Sequence, residues 1–299
     1  MITDYLKARN PNATLEDLEK AIKTGIDINK TNYLSNLALA NFEEAEILLK
    51  AGASVKGFYA DGLVNYLMRI GSDMQRKIDL LIQYGFDINH KNSEGENILF
   101  GNFDNKEDFM FLLDKVDDIF LLNKYNENIA FPLMNFNIKT QEKIEIFELL
   151  EKRGINLNHV NSQNRSILFN LHFDEVLLKY LIDKKVDVNI IDNNGDNVLL
   201  KCDSENIALL LLEYGKININ IKNNAGENAL NSLCCYKKIT QKLLEERIEI
   251  INFPEYFEKN ARFTFDLIEQ YYIKSISNEK RILKETLSKS SEKIKAHRI

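Results

Sequence analysis

Cysteine and proline are both scarce in this chain, at 3 residues each, and glycine reaches only 12. Cys202, Cys234 and Cys235 cannot make a disulfide framework, because the count is odd and sequence neighbours rarely pair. A reducing cytoplasm is therefore the expected setting. Long apolar runs are missing too. The longest aliphatic run, Ile207–Leu212, falls far short of the roughly 20 residues that a membrane-spanning helix needs, so no membrane role is expected. The first stretch, Met1–Lys20, carries Asp4, Lys7 and Arg9 and lacks an apolar core, so it does not read as a secretory signal. A host cell becomes the address only if the chain is an effector delivered without such a signal. Without secretion, the Asn-x-Ser/Thr triplets at Asn12 and Asn164 carry no meaning.

The usual signatures of chemistry are absent as well. There is no G-x-x-x-x-G-K-S/T, no H-E-x-x-H and no G-x-S-x-G. Asp192–Asp196 resembles a calcium loop at first sight. Placing Gly195 at the loop's sixth position puts Ile190 first and Lys201 twelfth, where carboxylates are required, which excludes it. The 4 histidines are scattered. His90 and His159 follow the same short motif two units apart and read as partly exposed turn residues rather than as a metal or pH contact; His172, in an apolar stretch, reads as packing. Cys202 and Cys234 fall where small core residues belong and read as buried and inert, with Cys235 more exposed. No catalytic residue, cofactor or metal is expected.

What the chain does have is asparagine, 36 residues of it, grouped between apolar runs. Short amides cap helices and tolerate left-handed turns, so they supply punctuation that proline and glycine do not. With 44% hydrophobic residues there is ample material for a core. The net charge of −6 is uneven. From Lys274 to Ile299 there are eight basic residues against Glu279, Glu285 and Glu292, a local excess of +5 that leaves −11 on the rest.

A short phrase keeps returning: Gly95–Phe100, Asn126–Phe131, Asn164–Phe169, Gly195–Leu200 and Gly226–Asn231. Equating Asn97, Asn128, Ser166, Asn197 and Asn228 gives spacings of 31, 38, 31 and 31. Such a period marks stacked repeats, each too small to bury its own apolar face. Within one unit, Lys91–Gly95 is a polar turn and Asn97 caps a first helix carrying Ile98, Leu99 and Phe103. Asn105 leads into a second helix with Phe109, Leu112, Leu113 and Val116 on one face. An aliphatic pair followed by a glycine exit recurs, as in Leu48-Leu49 before Gly52, Leu81-Ile82 before Gly85 and Leu211-Leu212 before Gly215. Glycine there fits a left-handed C-cap, so the exits at Val116 and Lys185 are expected to turn less tightly. Units begin near Ile2, Thr31, Ala60, Asn92, Asn123, Asn161, Asp192 and Asn223. The fifth is seven residues longer than its neighbours, with the excess expected around Asn135–Glu142, between its helices.

These residues resemble the ankyrin-repeat family, whose wording is D-x-x-G-x-T-P-L-H followed later by L-L-x-x-G-A-D-V-N. Gly95–Phe100 stands where G-x-T-P-L-H would be, and Leu48–Val55 is close to the second half. The resemblance runs from about Ile2 to Ile251, with Asn or Ser in place of Thr and an aliphatic in place of Pro. It implies an all-α solenoid of about eight helix–turn–helix units with short fingers. Pro254–Asn260 and Phe263–Ile273 would form a closing helix pair, so the domains read 1–273 for the solenoid and 274–299 for a basic helix or tail.

The resemblance further implies a non-catalytic, monomeric protein-binding module working through its concave finger surface as scaffold, inhibitor or effector. Positions that neither cap, turn nor pack are free to specify the partner: Lys91, Ser93, Glu94 and Glu96; Leu122, Lys124, Tyr125 and Glu127; Val160, Ser162, Gln163 and Arg165; Asn193, Asn194 and Asp196; Lys222, Asn224 and Glu227. Leu122, Tyr125 and Val160 read either as interface anchors or as ordinary exposed apolar residues. Asn92, Asn123, Asn161, Asp192 and Asn223 keep register. The alternative site is the tail, which by charge would contact nucleic acid or an acidic partner. Its glutamates and single ring make a poor nucleic-acid stripe, and a solvated terminal helix with Ile282, Leu283, Leu287 and Ile294 partly docked on the last repeat is the plainer reading.

Overall fold

The longer helices follow from an aliphatic pair near their end and, in five of them, from a side-chain acceptor just before their first residue. The computed structural model describes residues 14–29, 41–56, 60–61, 63–64, 73–171, 174–214, 216–250 and 262–296, excepting the side chains of 262, 263, 265 and 283–296. Among these residues the structure is helical, with no strand. In chain order the helices are α1 (Leu15–Lys23), α2 (Phe42–Lys50), α3 (Met74–Gln83), α4 (Lys106–Leu113), α5 (Ala130–Leu133), α6 (Thr140–Lys152), α7 (Glu175–Asp183), α8 (Glu205–Glu213), α9 (Ala229–Leu233), α10 (Lys237–Glu245) and α11 (Arg262–Ala296). The chain forms two compact units, Met1–Val186 and Asp187–Ile299.

Thr14, Asn41, Asn105, Asp174 and Ser204 each accept the backbone N–H three residues on, at 2.8–3.4 Å, which satisfies donors a helix start otherwise leaves open. The helices then bury Leu48 and Leu49, Ile78 and Leu81, Leu112 and Leu113, Ile146 and Leu150, Leu177 and Leu181, or Leu211 and Leu212. Each such side chain contributes roughly 1.5–3 kcal/mol. In the first unit α2 packs on α1, α3 on α2, α4 on α3, α6 on α4 and α7 on α6; in the second, α10 packs on α8, α9 and α11.

Several expectations are corrected. Among the described residues from Asn92 on, the first helix of a unit is at most one turn: a 3-10 turn at Ile98–Phe100 and at Ile167–Asn170, and the four- and five-residue α5 and α9. Loops follow within a few residues of the cap, so propagation never offsets the nucleation cost. The seven extra residues of the long unit lie largely in α6, which has 13 residues where α4 has 8 and α7 has 9. Gln141–Glu145 are good helix formers, and the Lys139 N–H bonds Glu142 Oε2 at 2.9 Å, which fixes the start. Phe136, beside this insertion, closes a ring cluster with Phe103 and Phe109 at centroid distances of 4.9 and 5.5 Å.

Lys185 turns as tightly as the glycines do. At φ +61° it forms the same pair of exit bonds, Lys185 N–H to Ile182 O and Val186 N–H to Leu181 O. The Val116 exit does differ: its N–H bonds Leu112 O, and no left-handed residue occurs there. The helix α11 runs without a break through Lys274, and Ile282 is 52% exposed, partly covered where it faces α10. Gly215, His172, Pro254–Asn260 and the starts of the first two units lie outside the described residues, as do the side chains of Leu283, Leu287 and Ile294.

Candidate functional site

Asparagine places the candidate surface by occupying three recurring positions, each used for a different bond. At the turn, the side-chain oxygen of Asn92, Asn123, Asn161, Asp192 or Asn223 accepts the N–H groups two and four residues on, at 2.8–3.1 Å. The amide of Asn123 bonds Glu96 and Glu127, that of Asn161 bonds Glu127, and that of Asn223 bonds Asp196 and Glu227, at 2.9–3.2 Å. Glu96, Glu127, Asp196 and Glu227, read from sequence as free for a partner, thus take part in these turn bonds. Asp196 is also 4% exposed and pairs with Lys201 at 2.8 Å.

At the cap, Asn97, Asn128, Asn197 and Asn228 each accept a backbone N–H two or three residues ahead, at 3.0–3.1 Å. Their amides donate to the carbonyls of Asp118, Asn156, Asn218 and Glu249 at 2.7–3.3 Å. The sequence separations are 21, 28, 21 and 21, so the long unit keeps the same connection across its insertion. Ser166, at the same position, has a buried hydroxyl with no partner among the described residues. In the exit loops, Asn29 bonds Gly52 O and Ser54 N–H, Asn189 bonds Lys216 O and Asn218 N–H, and Asn158 bonds Lys185 O. Asn89 and Asn220 accept from Asp117 N–H and Glu249 N–H.

Between these fixed positions the remaining turn residues face outward. Lys91, Ser93, Lys124, Tyr125, Ser162, Gln163, Asn193, Asn194, Lys222 and Asn224 are exposed, and Val160 and Arg165 are half-buried. The structure brings three of the predicted residues together: Lys124 pairs with Glu94, the Tyr125 hydroxyl donates to Glu94 Oε2 at 3.1 Å, and the Lys124 ammonium lies 5.0 Å from the Tyr125 ring centroid. The bond from Lys124 holds the Glu94 carboxyl below its ordinary range and the same bond raises Lys124. Backbone bonds join these turns, Lys124 N–H to Glu94 O and Ser162 N–H to Tyr125 O, both at 2.7 Å. Asn224 N–H to Asn194 O repeats the link in the second unit. Arg165 lies over the Phe169 ring, and Lys222 pairs with Glu249 at 2.9 Å.

Sequence reasoning missed Phe120. It is 58% exposed, beside Leu122 at 41% and Tyr125 at 47%, so three large apolar or aromatic residues of one connection face solvent. The signal was available in the register, where Asn89, Asn158, Asn189 and Asn220 occupy the equivalent place. In the second unit a groove of about 680 Å³ lies between α10 and α11, lined by Leu244, Arg247, Tyr271, Lys274 and Ile282 among others. Of the two described histidines, His90 Nε2 lies 2.6 Å from Asp61 Oδ1 and His159 Nε2 lies 2.6 Å from the Asn126 carbonyl, so each has its own partner. Burial pushes the Cys202 and Cys234 thiols up to about 11. Among the described residues no helix is long and apolar enough to cross a membrane, and no group of three or more His, Cys, Asp or Glu has the makings of a metal site.

No family model matches the chain, and no curated protein does. Among solved structures, a chain from the complex of a predatory endopeptidase of Bdellovibrio bacteriovorus with an immunity protein aligns over 57% of this chain and 92% of its own length, at 19% identity and a TM-score of 0.45. A likeness at that TM-score carries no argument about function.

Proposed function

We propose that this chain is a non-catalytic protein-binding module of ankyrin-like repeats, acting in the cytoplasm as scaffold, inhibitor or effector and recognising its partner through the outward turn residues. The supporting observation is a division of labour. The turn and cap asparagines are spent on bonds within the chain, while Leu122, Lys124, Tyr125 and Gln163 stand exposed on turns held in register by those bonds. A pre-ordered surface lowers the entropic cost of association, and aromatic and basic residues are the types that anchor interfaces.

The test is affinity capture from the native cell with the intact chain, a variant changed together at Lys124, Tyr125 and Arg165, and a chain lacking 274–299. The expected result is a protein retained by the intact and shortened chains and lost by the triple variant. Recovery of nucleic acid that falls steeply with salt and disappears on removing 274–299 would instead establish the tail as the functional element.

A further inference from the structure

The exit-loop asparagines form a repeated rung. In each complete case a carboxamide donates to the carbonyl of the next exit and accepts an N–H slightly beyond it: Asn29 on Gly52 O and Ser54 N–H, and Asn189 on Lys216 O and Asn218 N–H. Register assigns the corresponding groups of the long unit, Gly154 C=O and Asn156 N–H, to the residue at 120. That residue is phenylalanine, whose side chain can neither donate nor accept a hydrogen bond. Among the described residues no group bonds the Gly154 carbonyl or the Asn156 N–H. The Phe120 ring instead lies over the exit, with ring carbons 3.5 and 3.6 Å from where a Cβ on Gly154 would stand.

The insertion does not account for this gap. The neighbouring rung is intact at the same residue, since Asn128 donates to the Asn156 carbonyl at 3.1 Å and the Asn156 side chain accepts from Asn158 N–H at 2.9 Å. Asn156 is therefore where its equivalents are, and only the carboxamide is missing. An exposed aromatic ring beside an unfilled acceptor–donor pair has the makings of an anchor point: apolar area next to polar groups of fixed direction.

We infer that Phe120, Gly154 and Asn156 form the anchor for an extended peptide segment of the partner, one main-chain amide N–H donating to Gly154 O and a carbonyl accepting from Asn156 N–H, in place of the missing asparagine. The segment's adjoining apolar side chain covers Phe120 and Leu122. This rests on the protein-binding reading and specifies which face is used and what chemistry it takes.

The test uses Phe120→Asn, which gives this rung what the others carry, and Phe120→Ala, which removes the ring and leaves the pair unfilled. Phe120→Asn is expected to keep helical content and to slow hydrogen exchange of the Asn156 amide by at least about tenfold, the effect of roughly one added hydrogen bond. Phage-displayed random peptides selected on the intact chain supply the probe. The selected peptide is expected to protect the Asn156 amide and to bind both variants at least about tenfold more weakly. Unchanged exchange at Asn156 in Phe120→Asn, a peptide that binds without protecting Asn156, equal binding to Phe120→Asn, or no peptide enriched on the intact chain over Phe120→Asn each overturns the inference. Should any of these occur while cellular capture still depends on Lys124, Tyr125 and Arg165, the anchor alone is wrong; loss of that capture as well removes the protein-binding reading.

Discussion

Replacing Asn128 by alanine tests whether the cap asparagines hold neighbouring units together. Asn128 is 5% exposed, accepts the Ala130 N–H at 3.1 Å and donates to the Asn156 carbonyl at 3.1 Å, closing a connection of 28 residues. Alanine removes both bonds and leaves the buried Ala130 N–H without its acceptor. Each lost bond removes roughly 0.5–1.5 kcal/mol, and an orphaned buried donor adds about 1–3 kcal/mol, so the expected loss is about 3–4 kcal/mol. Ser166→Ala is the control in the same compact unit, because its hydroxyl is buried with no hydrogen-bond partner among the described residues; the expected change is within about 0.5 kcal/mol. Asn128→Thr keeps an N-cap acceptor but not the amide, and falls between the two. Urea unfolding followed by circular dichroism supplies the free energies. If Asn128→Ala and Ser166→Ala destabilise equally, the amide-to-carbonyl bond contributes nothing and the reasoning fails.

Three further outcomes follow from the structure. Burial pushes Lys77 down to about 7 against an opposing contribution from Glu44, so between that value and the ordinary 10.5 the unfolded chain holds a proton that the folded chain lacks. Stability therefore rises with pH across this window, by about 2 kcal/mol from pH ~7 to pH ~9, and Lys77→Met removes that rise; a denaturation series at the two pH values reads it. A Cβ on Gly195 would meet Asn223 Cα at 3.0 Å, whereas one on Gly226 meets nothing within 4 Å, and both residues are left-handed at φ +79° and +80°. Gly195→Ala is thus expected to lower stability by about 1–3 kcal/mol more than Gly226→Ala, measured on the same thermal transition. At pH ~8 the Cys202 and Cys234 thiols, near 11, are roughly one part in a thousand thiolate, while Cys235 is exposed. Maleimide should label one equivalent quickly and the other two only on unfolding, as counted by mass spectrometry.

The second helices were legible in the sequence because their signals are local: a capping side chain, an acidic first turn and an aliphatic pair, as in Asn105–Leu113. The glycine exits were legible for the same reason, and Lys185 was misjudged because a lysine at φ +61° is held there by its two exit bonds, which no residue-type rule reveals. The partners of the cap amides were hidden in principle. Asn97 bonds a backbone carbonyl 21 residues away, and every residue carries one, so no residue type marks the acceptor. Glu96 and Glu127 were misplaced for a related reason: a charged residue beside a turn looks solvated until the asparagine of the next unit reaches it. Lys77 could have been noticed, because Met74, Ile78 and Leu81 set an apolar face on which it falls at helical spacing. Phe120 needed only a comparison of register positions.

The two kinds of inter-unit link differ in what they allow the surface to become. Ion pairs also join successive units, among them Lys106–Glu145 at 2.6 Å, Lys115–Asp79 at 2.9 Å, Arg153–Asp114 at 2.7 Å and Lys184–Glu151 at 2.6 Å. Their side chains are 28–67% exposed, so solvent and salt screen them and each contributes at most about 1 kcal/mol. The cap asparagines are 0–5% exposed and uncharged, which leaves no water to replace their bonds and nothing for salt to screen. Cohesion therefore rests on neutral groups inside, and the charged residues outside can vary with little loss of stability. Glu94, Lys124 and Tyr125 illustrate the result: a charged, aromatic cluster carried on turns whose register is set by Asn92 and Asn123 beneath it. The outward turn residues of a chain built this way can vary without altering what holds it together.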